Sequence, residues 1–156
     1  MKLQRDVEYG LMGLIDLERL EEPVSARTLA KRLGVPGELL SKVLQRLQRA
    51  GLVKAVRGAR GGYRLHRPLS GISLREVIEA SHGPLAVVDC LKPGACPQEA
   101  HCTIRPQAHG LQGLLDGFLG SLSVQQFADQ QSAARRIADR PLGDRQLVGK
   151  AGGGAR

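Results

Sequence analysis

The feature that most constrains this chain is a pair of short amphipathic helices predicted between residues 25 and 51. Ser25 suits the N-cap of the first helix, and Gly34 suits its end. Pro36 suits the first turn of the second helix, which Gly51 ends. The second helix carries an apolar stripe at helical spacing, formed by Leu39, Leu40, Val43, Leu44 and Leu47. Two short helices joined across "LGVP" are typical of a helix-turn-helix.

The segment that follows the second helix predicts a β-hairpin. "LVKAVRG" has the composition of a strand, "ARGG" supplies a turn with two glycines, and "YRLHR" alternates as a second strand. Strands this short bury little apolar surface by themselves, so they must pack against the helices. The hairpin is therefore interpreted as a wing, which brings Arg57 and Arg60 to the face of the outward helix.

Three further helices are predicted outside this unit. Residues 5–20 show apolar spacing typical of a helix, and Ser73 with Glu76 has capping-box spacing at the start of another. After Pro106 a broad apolar stripe runs beside Gly110, Gly113, Gly117 and Gly120. Because glycines weaken a helix, this one needs tertiary packing. We interpret it as a dimerisation helix, and the alternative is a helix packed on its own domain.

The expected fold class is mainly α with a small β wing: a winged helix-turn-helix plus a long C-terminal dimerisation helix. A second capping-box pattern, Ser123 to Gln126, predicts a short helix after the long one. The expected organisation is a DNA-binding domain at 1–85, a cysteine loop at 86–107, the dimerisation helix and the short helix at 108–131, and a disordered Gly- and Arg-rich tail at 132–156.

The positive charge of the chain is concentrated in one block. Residues 25–68 contain eleven Lys or Arg and one acid, Glu38, whereas the rest of the chain is slightly acidic, and the whole has a net charge of +8. Such a block suits a surface that neutralises phosphates. A generic basic surface, or a patch for anionic lipid, is the alternative.

All three cysteines lie in one Gly- and Pro-containing stretch, at Cys90, Cys96 and Cys102. No stretch is long enough for a signal peptide or a membrane span, so we expect a cytoplasmic protein with reduced thiols. The odd cysteine count also weakens a disulfide. Zinc could use three cysteines and His101, and an iron–sulfur cluster could use the thiolates. The spacing by itself leaves both metals open.

The order of these features resembles the IscR/NsrR family of winged-helix transcription regulators. The similar residues are "MKL", "LAKRLGVPGELLSKVLQRLQRAGLVKAVRGARGGYRL", "ISLREVIEA", the C-x5-C-x5-C spacing and "LDGFLGSLSVQQF", which together span roughly residues 1–131. The resemblance implies a homodimer that binds a palindromic double-stranded operator. It places the helix at 36–50 in the major groove and the wing in the minor groove.

The resemblance also favours an iron–sulfur cluster, 2Fe–2S or 4Fe–4S, held by Cys90, Cys96 and Cys102. Some relatives use a histidine three residues after the last cysteine, but Arg105 stands there and cannot ligate. Another relative uses an acid near the N-terminus, contributed across the dimer, and the matching residue is Glu8. Asp6 is its neighbour, and His101 and His109 are nearby substitutes for a fourth ligand.

Seven residues are candidates for DNA contact. Ser41, Lys42 and Gln45 project from the outward helix face with the reach to touch base edges. Glu38 could accept a hydrogen bond from cytosine or simply occupy the positive end of the helix. Arg57 and Arg60 suit a narrow minor groove, and Arg27 suits a phosphate. Phosphate contact or plain solvation is the alternative for the helix residues.

The predicted function is a dimeric transcription regulator, expected to be a repressor. An iron–sulfur cluster that senses nitric oxide, redox state or iron supply would control its operator binding. A winged-helix repressor with a zinc or thiol redox site is the alternative, and an electron carrier or cluster scaffold is a third class. The sequence contains no catalytic constellation and no phosphate-cradling loop, so no enzyme is expected.

Overall fold

The computed structural model of the 156-residue chain describes residues 4–58, 60–88 and 101–129. Its helices are α1 (Arg5–Glu18), α2 (Ala26–Leu33), α3 (Gly37–Arg49), α4 (Leu74–His82) and α5 (Arg105–Ser121), and a 3-10 turn covers Leu69–Gly71. Its strands are β1 (Val53–Val56) and β2 (Gly62–Leu65), which pair antiparallel. Residues 124–129 are also helical. The predicted fold class is confirmed.

The helix ends follow the local sequence closely. The Ser25 hydroxyl accepts a hydrogen bond from the Thr28 N–H at 3.1 Å, and Gly34 adopts a left-handed φ of 66° at the end of α2. Pro36 is the N-cap of α3, so the helix begins one residue later than the proline. Both predicted capping boxes form, because the Ser73 and Ser123 hydroxyls accept from the N–H groups of Glu76 and Gln126.

The wing is joined to the helices through the connection between α1 and α2. Val24 and Tyr63 exchange two backbone hydrogen bonds, at 3.0 and 2.8 Å, so Val24 extends the two-stranded sheet. Gly62 permits this approach, since a Cβ there would lie 2.3 Å from the Val24 carbonyl carbon. The second strand of the hairpin is therefore joined to the residue just before the N-cap of α2.

One apolar core holds the described helices together. Its buried side chains come from α1, α2, α3, the segment that leads into α4, α4 itself and the end of α5; fully buried members include Val7, Leu14, Leu29, Leu40, Leu44, Leu47, Ile72 and Val77. Four of the five residues predicted for the apolar stripe of α3 are buried, and Leu39 is half-buried. Because burial of aliphatic surface is the main source of stability, this core fixes α3 with its polar side outward.

α5 differs from the sequence expectation in its start and in its packing. It begins at Arg105 rather than near residue 108, because Pro106 occupies the first turn, where no N–H is needed. The residues just after α5 form a short antiparallel bridge with those before α4, in which the Leu74 N–H donates to the Leu122 carbonyl and the Val124 N–H donates to the Ile72 carbonyl. Leu115 and Leu119 of α5 itself contact the core. One side of α5 thus packs on its own domain.

The carboxylate of Glu76 connects this region through several hydrogen bonds. It accepts from the Ser73 N–H and hydroxyl and from the guanidinium of Arg67, which also donates to the Gly71 carbonyl. Partial burial, the largest single influence, would raise the pKa of Glu76, but the hydrogen bonds from Ser73 and Arg67 together lower it below the ordinary value. The ionised form is therefore stabilised by folding.

We predict that Glu76→Gln lowers the free energy of unfolding by about 1 kcal/mol or less at neutral pH, because the carboxylate is partly exposed and screened. Since folding lowers the pKa of Glu76, its contribution is present above the pKa of the unfolded chain, about 4.3. It is lost as the pH falls through the still lower pKa of the folded state. Urea unfolding of both proteins between pH 7 and pH 3.5 measures the difference, and a difference independent of pH would contradict the assignment.

Candidate nucleic-acid interface and cysteine segment

The polar face of the helix-turn-helix is formed by the start of α3 and the length of α2. Glu38, Lys42 and Gln45 are exposed on α3, and Ser41 is half-buried. A groove runs between the two helices and is floored by small residues; it is lined by Ala26, Arg27, Ala30, Lys31, Gly34, Val35, Gly37, Glu38 and Ser41. Cations and hydrogen-bonding groups therefore border a shallow apolar groove.

The wing lies next to this face. Arg57 and Arg60 are exposed on either side of the hairpin tip. Arg60 also lines a second groove together with Ser25 and Thr28, which form the N-terminal cap of α2. The structure thus places the wing arginine beside the same helix that carries Arg27.

The hairpin also carries two cations that the sequence analysis did not select. Lys54 and Arg64 are directly opposite each other in the β1–β2 register. Like charges at directly opposed positions destabilise a hairpin, because their side chains extend from the same face. An anion beside the pair would relieve this repulsion, so both residues suit contact with a phosphate group.

Three cations of the basic block form ion pairs with acidic residues of the same chain. Arg32 pairs with Asp16 at 2.8 Å, Arg46 pairs with Asp6 at 3.2 Å, and Arg67 pairs with Glu76. The hydrogen bonds that the Arg32 guanidinium donates to Asp16, and the negative charge of Asp16, raise the pKa of Arg32. The charge of the block therefore overstates the cations available to an external anion. The eight cations of the block outside these three ion pairs are Arg27, Lys31, Lys42, Arg49, Lys54, Arg57, Arg60 and Arg64.

Of the three cysteines, Cys102 belongs to the described part of the chain, while Cys90 and Cys96 lie outside it. Cys102 is half-buried and is a free thiol. It lies just before Ile104, the N-cap of α5. The C-terminal end of the cysteine segment therefore leads directly into this helix.

The other end of the cysteine segment is held against the same helix by Gln112. Its amide oxygen accepts from the Val87 N–H at 2.9 Å, and its amide nitrogen donates to the Leu85 carbonyl at 2.8 Å. The same nitrogen donates to Asp116 at 3.0 Å, which orients the amide. The Gln112 side chain thus satisfies two backbone groups, the Val87 N–H and the Leu85 carbonyl, in the stretch that leads to Cys90. No feature of the local sequence distinguishes Gln112, because its partners are 25 and 27 residues away.

The candidate fourth ligands occupy different positions. Glu8 is exposed in the first turn of α1, and His101 and His109 are exposed near the start of α5. Asp6 is engaged by Arg46 and lies 3.5 Å from Nδ1 of His82. Among residues 4–58, 60–88 and 101–129, no group of three His, Cys, Asp or Glu side chains converges. The described residues thus assemble the DNA-contact candidates on neighbouring surfaces, but not the metal-ligand candidates.

Comparison with known proteins identifies the family. A sequence model of the Rrf2 family, described as "Iron-dependent Transcriptional regulator", matches residues 3–130. The HTH-type transcriptional regulator IscR of Xenorhabdus nematophila is 29% identical over 148 residues, which cover 94% of this chain and 90% of the relative. IscR of Escherichia coli K12 is 29% identical over 133 residues, covering 84% of this chain and 82% of the relative.

Solved structures agree with this result. The IscR structure from T. potens has a TM-score of 0.65 and 26% identity, and the match covers 86% of this chain and 91% of that one. CymR, the global cysteine regulator of B. subtilis, has a TM-score of 0.64 and 26% identity, covering 83% of this chain and 98% of that one. None of the described helices is both long enough and apolar enough to span a membrane. This chain belongs to the Rrf2 family of transcriptional regulators, as the family match over residues 3–130 shows together with the winged helix-turn-helix and the exposed basic face.

Proposed function

We propose that this regulator is a homodimer whose operator binding is controlled by an iron–sulfur cluster held by Cys90, Cys96 and Cys102. The observation that carries the proposal is the placement of Cys102, a half-buried free thiol at the foot of α5. The residues just before the other two thiols, Leu85 and Val87, are held to the same helix by Gln112. Both ends of the segment are thus fixed on one rigid element.

The donor set fits iron. Thiolates are the ligands that cluster iron prefers, and a cluster normally takes four protein ligands. Three cysteines leave one position for a weaker ligand, for which Glu8 of the partner subunit is our candidate. A bound cluster would supply reactivity toward nitric oxide and oxygen, and sensitivity to iron supply. Glu8 is exposed in the first turn of α1 and is therefore free to meet a partner.

The apolar surface of α5 supports the homodimer. Leu111, Leu114 and Phe118 are 53%, 75% and 62% exposed. By contrast, Leu115 and Leu119 on the other side, with Leu122 just beyond the helix, contact the core. Exposed apolar side chains in a row along one helix favour association with an equivalent surface, because association removes them from water. A Cβ added to any glycine of this helix would meet no atom within 4 Å, so a second helix can approach closely.

The DNA-contact candidates receive distinct roles. Lys42, Gln45 and Ser41 would touch base edges from α3 in the major groove, with Glu38 near the helix start. Arg57 and Arg60 would enter the minor groove from the wing, and Arg27 would contact phosphate. A two-fold symmetric dimer then requires a palindromic operator with a fixed spacing between half-sites. The neighbouring grooves along α2, α3 and the wing support this division.

The first test is the metal content of protein purified without air. We expect iron and acid-labile sulfide in equal amounts, with the visible absorbance of a cluster, and loss of all three signals in Cys96→Ser. Zinc without sulfide, or a colourless protein that responds only to thiol oxidants, would instead support the alternative regulator. The CymR likeness makes that alternative worth measuring.

The fourth ligand is tested by two variants of the same helix. Glu8→Gln should leave iron and sulfide bound after anaerobic purification, but cluster loss in air should be several-fold faster. Glu18→Gln is the matched control, because Glu18 is exposed at the opposite end of α1. Equal rates of cluster loss in the two variants would remove Glu8 from the ligand set.

The dimer is tested on the exposed face of α5. Leu114→Glu should dissociate the protein at micromolar concentration, because a charge would be buried at the centre of the interface. Gln107→Glu adds the same charge to an exposed position on the same helix and should remain dimeric. Sedimentation equilibrium measures both, with circular dichroism to confirm folding. A Leu114→Glu protein that stays dimeric would exclude this face.

The DNA contacts are tested through the salt dependence of operator affinity. Arg27→Gln and Arg57→Gln should each lower the slope of log affinity against log salt by about 0.9, the value for one phosphate charge. Arg32→Gln is the control, since Arg32 lies on α2 but is paired with Asp16. Its slope should match that of the wild type. An unchanged slope in Arg27→Gln would show that Arg27 does not contact the phosphate backbone of the DNA.

A further inference from the structure

Arg46 lies on α3, within the basic block, yet it binds two of the helices that pack against α3. Its Nη1 donates to the Ser81 carbonyl of α4 at 2.6 Å and to Oδ2 of Asp6 in α1 at 3.2 Å. A single guanidinium nitrogen therefore connects the second half of α3 with the first turn of α1 and the last turn of α4.

These contacts occur near a close approach of the three helices. A Cβ on Gly10 of α1 would lie 2.9 Å from Oγ of Ser81 and 3.4 Å from a methyl carbon of Val43 on α3. The Ser81 side chain is buried, at 1% exposure. Closely packed interiors have few voids, so we expect a displacement of α1 or α4 at this contact to move α3 as well.

Both partners of Arg46 are close in sequence to the proposed metal ligands. Asp6 precedes Glu8 by two residues in the first turn of α1. Ser81 is followed by His82, the last residue of α4, and the chain then passes the backbone groups held by Gln112 on its way to Cys90. His82 also faces Asp6, with 3.5 Å between Nδ1 and Oδ2. The two routes from the ligands to α3 meet at the Arg46 side chain.

We propose that Arg46 is a positioning residue that transmits the state of the cysteine segment to the recognition helix α3, and is not a DNA contact. This inference rests on the proposed function, because it names how the metal-bound and metal-free states differ in operator affinity. When Glu8 or the segment after Ser81 changes position, Arg46 moves α3 relative to its partner in the dimer. Operator half-sites have a fixed spacing, so a small rotation of α3 changes affinity.

The test compares two variants that remove the same charge from the same helix. Arg46→Gln breaks the junction, whereas Arg49→Gln removes a charge from an exposed arginine for which the described residues provide no ion pair. Operator affinity is measured anaerobically for the iron-loaded and the metal-free forms of each protein, over a range of salt concentrations. The readout is the ratio of the two affinities, which for typical allosteric proteins is about 5 to 150.

We expect Arg49→Gln to keep the wild-type ratio. In Arg46→Gln the ratio should fall to within about twofold of unity, below the usual range of coupling. The iron and sulfide content of Arg46→Gln should remain that of the wild type. The slope of its log operator affinity against log salt should also be unchanged. Asp6→Asn, which removes one of the two acceptors while leaving Arg46 in place, should give an intermediate ratio and serves as the second variant should Arg46→Gln fold poorly. Circular dichroism and thermal unfolding establish which proteins are folded.

Two outcomes overturn the inference and are distinguishable from failure of the proposed function. A folded Arg46→Gln that retains the wild-type ratio shows that Arg46 does not transmit the state. A salt slope lowered as in Arg27→Gln shows that Arg46 contacts phosphate instead. A wild-type protein that holds iron but binds the operator equally in both states contradicts the proposed function, and this inference with it.

Discussion

The structure depends on the close packing of α1 against α3 and α4. Gly10 makes this possible, because the side chain of any other residue would meet Ser81 Oγ at 2.9 Å and press on Val43. Around this contact the fully buried residues Val7, Leu14, Leu44 and Val77 complete one aliphatic core. Since the same core fixes α3 and the two helices on either side of the cysteine segment, the candidate DNA-contact face and the described ends of that segment are parts of one packed body.

The same packing divides the charges of the basic block into two groups. On the outward surface of α2, α3 and the wing, arginines and lysines border shallow grooves that suit a nucleic-acid backbone. Where the helices meet, Arg32 and Arg46 instead pair with acids of α1. An arginine can form several directed hydrogen bonds at once, so it suits a junction between elements as well as a phosphate contact.

The elements that the sequence predicts best are those determined by residues close together in the chain. The caps formed by Ser25, Ser73 and Ser123 need only a partner three residues away, and all three form. The sequence places the start of α5 too late, because Pro106 is compatible with a first turn and does not mark a boundary. The stripe on α5 is predicted as one surface, whereas the domain covers one side and leaves Leu114 and its neighbours exposed.

The contacts of the candidate site are harder to predict from the sequence, because they join residues that are far apart in the chain. Arg46 and Asp6 are 40 residues apart, and Gln112 binds backbone groups that any residue could supply. Charge counting alone does not separate Arg46 from Arg27, since only the fold shows which guanidinium has an internal partner. The DNA-contact and metal-ligand assignments remain predictions that the experiments above address.

The central claim is that a change at the cysteine segment reaches α3 through the helix junction. Amide hydrogen exchange of the iron-loaded and metal-free protein, measured without DNA, tests it most directly. We expect the two forms to differ in protection in the first turn of α1, in residues 81–88 and in the second half of α3. Changes confined to residues 88–106, with α1 and α3 identical in the two forms, would contradict it.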